Sequence, residues 1–379
     1  MSYELLATVV GALGTGTAPA YEGPWGGAWP CPRWESTGRP TPSPTPSTPS
    51  PWWASGVIPG LLVVLEPEEV YRPRHAERTV FYKLLEQHFD RYVYAYEERF
   101  EPRSGPLRPV VRPAVEAFLG CGRPEGGFAR LRCDTCRAEH LLAFSCHTRN
   151  FCPSCQAKRA ALFAEKLVED LERVPHRHWT FTIPRALRGL FERDRRLLGL
   201  LSRTAYDAIL RTLRAVFARK DVRPGVIASI QTFGSFANFH PHLHCLVTEG
   251  VFTPAGEFLP LETIDTSAVE YLFRRLLLAR LHRAERLSES FMETLLGWSP
   301  SGFSVKSTEL ILPDDKDRLE RLARYLTRAP LRLDAVVEDD DGRIRLATPP
   351  DPATGATERI LDPLDWIHAV TSQIPDRGR

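Results

Sequence analysis

Two histidines one residue apart carry the clearest chemical signal in this chain. In His240-Pro241-His242-Leu243-His244, imidazoles alternate with apolar side chains from His242 onward. On a β-strand, residues i and i+2 face the same side with Cα atoms about 6.6–6.8 Å apart. His242 and His244 can therefore share one divalent ion, while Leu243, Cys245 and Val247 turn toward apolar packing. If the preceding strand sets Gln231 opposite His242, its side-chain oxygen becomes a third donor, leaving open positions for substrate oxygens. His240 competes for that place, but Pro241 is expected to turn it out of the strand.

Tyr325 is a candidate nucleophile. It lies at the edge of an apolar stripe formed by Leu319, Leu322, Ala323 and Leu326, with Arg321, Arg324 and Arg328 nearby. A tyrosine hydroxyl can form covalent intermediates. Adjacent guanidinium groups can hold a phosphate beside it. The competing reading is a ring packed at the margin of a core.

Six of the eight cysteines (Cys121, Cys133, Cys136, Cys146, Cys152 and Cys155) fall within 35 residues. Cys133-x2-Cys136 and Cys152-x2-Cys155 are separated by 15 residues. Two such pairs match the spacing of a structural zinc site, in which four thiolates complete a tetrahedron. Cys121, Cys146, His140 and His147 remain as alternative ligands or as part of a second site. Basic side chains surround this cluster, including Arg149, Lys158 and Arg159, and residues 121–230 carry 21 basic against 11 acidic groups. That block is a candidate footprint for nucleic acid, with a solvated helix face as the alternative.

Elements must position these groups. The chain has 379 residues, 43% hydrophobic and 25% charged, which excludes a wholly disordered protein. No apolar run approaches the ~18 residues of a membrane-spanning helix. With Glu4 and no early Lys or Arg, the N-terminus does not read as a secretory signal, and a cytoplasmic protein is expected. Residues 1–56 contain a Pro/Ser/Thr tract that excludes helix and sheet, so they are expected to form a disordered leader, with order beginning near Tyr71. Apolar periodicity predicts helices over 79–100, 114–119, 156–174, 187–217, 268–296, 314–328 (capped by Asp314) and 365–373. Strands are expected over 179–183, 226–233 and 242–251, with two short ones flanking the turn at 339–342. The connection 234–239 is too short for a parallel crossover, so 226–233 and 242–251 should pair antiparallel. The fold class is α+β: an N-terminal helical and zinc-ribbon module over 57–174, then an antiparallel sheet flanked by helices over 175–379.

Taken together, the motifs resemble rolling-circle insertion-sequence transposases of the IS91-like and common-region type. The stretch 121–160, including Phe144-Ser145-Cys146 and Phe151-Cys152-Pro153-Ser154-Cys155, is similar to their zinc-binding domain. The segments 230–234 and 238–244 are similar to the strand pair of an HUH nuclease, and 321–330 to the helix bearing the catalytic tyrosine. The resemblance implies that His242, His244 and Gln231 hold Mg²⁺ or Mn²⁺ and that Tyr325 attacks single-stranded DNA at the element termini, forming a 5′-phosphotyrosine. Arg324 and Arg328 would contact the strand, with target DNA as the second partner and no membrane involved. Some relatives carry a second tyrosine four residues earlier. Here Arg321 stands in its place, which implies the single-tyrosine branch. No phosphate-binding loop of the Gly-Lys-Ser/Thr type occurs, in keeping with a reaction that conserves phosphodiester energy. Relatives continue past a segment like 374–379 into an Arg/Tyr-rich tail. A shortened zinc-dependent DNA-binding copy is therefore one competing reading, and a replication initiator or relaxase is another.

Overall fold

The computed structural model describes residues 76–132, 137, 139–234, 238–262, 264–330, 336–348, 350 and 355–376. The expected leader, 1–56, lies outside them. Helix α1 (Val80–Arg99) is capped by Thr79, whose hydroxyl accepts from the Tyr82 N–H. It is followed by α2 (Glu101–Ser104) and α3 (Val111–Leu119). Strands β1 (Phe128–Arg132) and β2 (Glu139–Ala143) pair as a two-stranded sheet. Residues 130–142 belong to a small separate unit; the other described residues form one larger unit.

In the larger unit the chain continues through α4 (Pro153–Asp170), β3 (His176–Thr182), α5 (Arg185–Arg193), α6 (Arg196–Val216), β4 (Val226–Phe233) and β5 (Phe239–Thr248). After the short pair β6 (Gly250–Phe252) and β7 (Phe258–Pro260) come α7 (Thr266–Arg283), α8 (Glu289–Gly297), β8 (Ser304–Ile311) and α9 (Lys316–Leu326). The described chain ends with β9 (Val336–Glu338), β10 (Ile344–Ala347), β11 (Glu358–Leu361) and α10 (Pro363–Thr371).

The α+β class holds. The central sheet has strand order β4-β5-β3-β8, and every pairing is antiparallel. The alternation of β5 divides the two faces of this sheet. Leu243, Cys245 and Val247 join Trp179 and Phe181 of β3 in a core with α5 to α8. Leu246 faces the other way, toward Ala164 and Leu167 of α4 and Leu319 and Ala323 of α9. His242 and His244 share parity with Leu246, so they lie on the face covered by α4 and α9.

Several expected boundaries move. Helix 187–217 is broken at Asp194, whose carboxylate accepts from the Arg196 backbone N–H and restarts the helix as α6. Helix 268–296 is two helices: Glu285 takes a left-handed φ of 57°, and Ser288 caps α8. Asp315, not Asp314, caps α9, which ends at Leu326 rather than Arg328. Pro241 stays within β5. It sits where the β4–β5 register shifts between Gln231 and Phe233, a bulge that accommodates a residue without an N–H.

A second core joins α1, α3, Phe151 and Cys152 to Val336, Ile344, Leu361, Trp366 and Ile367. The C-terminal strands and α10 thus pack with the N-terminal helices, and this core runs across the expected boundary at 174/175. Among the described residues, no helix is long and apolar enough to cross a membrane.

Candidate functional site

Antiparallel register builds the site. Gln231 lies opposite His242 and Ser229 opposite His244. On the other side, Thr180 lies opposite His244 and Thr182 opposite His242. The ring of His242 is held by its Nδ1, 2.8 Å from the His240 carbonyl. A carbonyl only accepts, so Nδ1 carries the proton and the Nε2 lone pair is free. That Nε2 lies 3.1 Å from His244 Nε2. His244 Nδ1 is in turn 2.9 Å from His178 Nε2. With the His244 proton on Nδ1, donated to His178, two Nε2 lone pairs converge on one point. Such an arrangement repels itself unless a cation lies between the rings.

Gln231 completes the donor set. Its amide nitrogen donates to the carbonyls of Tyr325 (3.1 Å) and Leu326 (3.3 Å). Its Oε1 is buried with no hydrogen-bond partner, an orphaned acceptor of the kind a metal satisfies. Two imidazoles and an amide oxygen suit a divalent ion. Burial keeps the rings neutral: it pushes His244 down to about 2 and also lowers His242 and His178, with neighbouring positive charges adding to the effect on His244 and His242.

Helix α9 lays Tyr325 over these rings. Its buried stripe of Leu319, Ala323 and Leu326 docks on α4 and the sheet, each leucine contributing about 1.5–3 kcal/mol by burial. Hydrogen bonds from Gln231 and from the Ser229 hydroxyl to Leu326 O (2.6 Å) pin its last turn. Tyr325 remains 38% exposed. Its ring centroid is 5.1 Å from that of His244 and 6.1 Å from that of His178. The Arg328 guanidinium sits 4.4 Å from the Tyr325 ring centroid. Arg324 is paired with Glu320 at 2.7 Å. His240 lies beside His242, ring centroids 5.2 Å apart.

His178 was not anticipated from the sequence. It is buried and directly contacts His244, and its signal was the alternation His176-Arg177-His178 on β3.

The second candidate centre differs from the predicted one. Cys152 and Cys155 converge with Cys121 and Cys146, all four sulfurs lying within 4.8 Å of one another. Three of the S···S separations are 3.7, 3.7 and 3.8 Å. A tetrahedral Zn–S₄ site with bonds of ~2.3 Å has edges of ~3.8 Å, so the four thiols fit zinc. Backbone N–H groups of Cys146 and Thr148 point at the sulfurs of Cys121 and Cys146. His147 and Asn150 make the intervening turn with φ of 53° and 54°. The expected ligands Cys133 and Cys136 lie outside the described residues, and the four-thiol set is complete without them. Of the basic candidates, Arg149 and Arg159 are half-buried neighbours whose guanidinium pKa values are lowered by that burial. Lys158 is exposed on α4.

The family described as "Transposase zinc-binding domain" matches residues 85–183, and the family described as "Putative transposase" matches residues 225–379. The chain belongs to the IS91-like transposases. A relative from Sinorhizobium fredii (strain NBRC 101917 / NGR234), "Putative transposase y4qJ", is 32% identical over 199 residues, 50% of this chain and 48% of the relative. "Transposase for insertion sequence element IS801" from Pseudomonas savastanoi pv. phaseolicola is 32% identical over 155 residues, 40% of this chain and 37% of that protein. The IS91-like chain therefore aligns with half or less of the length of these relatives. No solved structure matches it significantly.

Proposed function

We propose that this chain is an HUH-type, single-tyrosine DNA transposase that nicks and rejoins single-stranded DNA at element termini. The observation that carries this reading is the half-exposed Tyr325 ring lying 5.1 Å from His244, above two Nε2 atoms 3.1 Å apart. A divalent cation such as Mg²⁺ or Mn²⁺, held by His242, His244 and Gln231, would polarise the scissile phosphate. The protein supplies the rest. Tyr325 Oη gives up its proton and attacks phosphorus, the P–O3′ bond breaks, and the 3′-oxygen takes up one proton in exchange and leaves as a hydroxyl. The 5′ end stays esterified to Tyr325, and attack by another 3′-hydroxyl reverses the exchange. Arg328, beside the ring, offers a guanidinium to the phosphate. His178 fixes the His244 tautomer. Arg149, Lys158 and Arg159, around the start of α4, are proposed backbone contacts, and Arg324 joins them if it leaves Glu320.

The test is a denaturing gel of purified protein with 3′-labelled single-stranded DNA taken from the flanks of its coding sequence. A covalent adduct should form with Mn²⁺, vanish with chelator and be absent from Tyr325→Phe, which should still bind the DNA. Binding without any adduct would instead identify a DNA-binding copy lacking nuclease activity.

A further inference from the structure

A cavity of about 830 Å³ lies outside the histidine–tyrosine site. Its walls bring Arg99 and Arg103 from the end of α1 and from α2 together with Arg185 and Arg188 of α5 and Arg359 of β11, and Phe239 of β5 closes one side. These segments are far apart in sequence, so the cluster is a product of the fold and not one solvated helix face. Helix α5 buries Leu187 and Phe191 against the sheet core, which leaves Arg185 and Arg188 to line the cavity.

The charge there is poorly balanced. Of the two lining carboxylates, Asp365 is occupied by Arg99 at 2.8 Å. Glu192 is the other, and burial raises its pKa. Among the described residues, Arg103, Arg185, Arg188 and Arg359 form no ion pair, and the Arg188 Nε is buried with no hydrogen-bond partner. A concave surface lined with one sign of charge concentrates counter-ions, and the guanidinium fork matches phosphate oxygens.

The cavity also adjoins the reaction site. Phe239 precedes His240 in β5, and the positive charge of Arg188 acts on both His240 and His242. We propose that this cavity seats the phosphodiester backbone of the single DNA strand flanking the scissile phosphate. The volume and the spread of the arginines suit more than one phosphate. The identity of the strand rests on the tyrosine-nuclease reading, but the test below reads binding alone, so loss of the covalent adduct overturns only that reading.

The experiment uses the full chain and a short fluorescein-labelled oligo-dT, titrated by anisotropy over a series of NaCl concentrations. Each phosphate contact to a single strand contributes ~0.7 to the slope of log affinity against log salt, so Arg185→Ala/Arg359→Ala should reduce the slope by about 1.4. Affinity at low salt should fall by about tenfold or more. Both side chains are exposed, so the thermal midpoint should not move. The control, Arg203→Ala/Arg283→Ala, removes two exposed arginines that do not line the cavity and should leave the slope unchanged. An unchanged slope in the cavity variant, or an equal loss in the control, would overturn the proposal in favour of diffuse surface charge. Complete competition by millimolar inorganic phosphate, equal for short and long oligo-dT, would also overturn it, because the site would then recognise free phosphate.

Discussion

At the scale of the residue, ligand geometry at the histidine pair depends on where two protons sit. His242 exposes its Nε2 lone pair because Nδ1–H is committed to the His240 carbonyl. His244 can do the same only if something accepts from its Nδ1, and His178 Nε2 is 2.9 Å away. Partners of this kind typically change metal affinity by 10–100-fold. His178→Ala should therefore raise the Mn²⁺ concentration for half-maximal adduct by about 10–100-fold, while oligo-dT affinity stays unchanged. His178→Gln, whose amide oxygen can accept the same hydrogen bond, should restore most of the loss. An unchanged Mn²⁺ requirement in the alanine variant would remove His178 from the site. His242 and His244 were legible because alternation in one strand is local information, and Gln231 because a short connection forces antiparallel pairing. His178 was not, because its contact depends on β3 being the neighbour of β5, and strand order is a non-local fact.

At the scale of the element, the same contrast recurs. The strand 226–233 was read with its observed ends because it alternates over its whole length. Strand β8 was missed: its middle, Lys306 to Glu309, is exposed on a sheet edge and has no apolar rhythm. The stripe of α9 gave the helix and its docked face, yet not the support for its end. Beside the β4 side chains Ser229 and Gln231, that support comes from α4. The Gln156 side chain, buried one residue after Cys155, accepts from the Asn150 N–H at 3.0 Å and donates to the Thr327 carbonyl at the C-cap of α9. One amide thus ties the turn beside the thiol cluster to the helix that presents Tyr325. Gln156→Ala strands a backbone donor and a backbone acceptor at once, for which about 1–3 kcal/mol is expected. Urea unfolding of the full chain measures it. A change within about 0.5 kcal/mol, as for an ordinary surface substitution, would show that water replaces both bonds.

At the scale of the whole molecule, the thiol cluster belongs to a core that the linear order of the chain conceals. Phe151 and Cys152 pack in the cluster that also holds Trp366, and Phe81 stands edge-on to both Phe151 and Trp366 at 5.3 Å. The C-terminal segment is also tied to the central sheet and to the start of α6. Thr232 donates to Gln373 at 2.7 Å, and Arg195 donates to the Ser372 carbonyl at 2.6 Å. A boundary near residue 174 was a fair reading of the motifs, because the pairing of α1 with α10 rests on contacts more than 250 residues apart. Spacing likewise drew attention to two CxxC pairs, whereas the fold brings Cys121 and Cys146 to the second pair from positions with no repeat signature. The two ligand sets make opposite forecasts. Purified protein should carry zinc that is lost on Cys121→Ser or Cys146→Ser and kept on Cys133→Ser or Cys136→Ser, as read by metal analysis. Structural zinc contributes ~10–16 kcal/mol of apparent binding energy in small zinc modules, and this centre shares its core with α1 and α10. Chelation should therefore lower the thermal midpoint of the whole chain and expose the tryptophan fluorescence of Trp366 to quencher. Zinc retained by Cys121→Ser but lost from Cys133→Ser would return the ligand set to the two CxxC pairs.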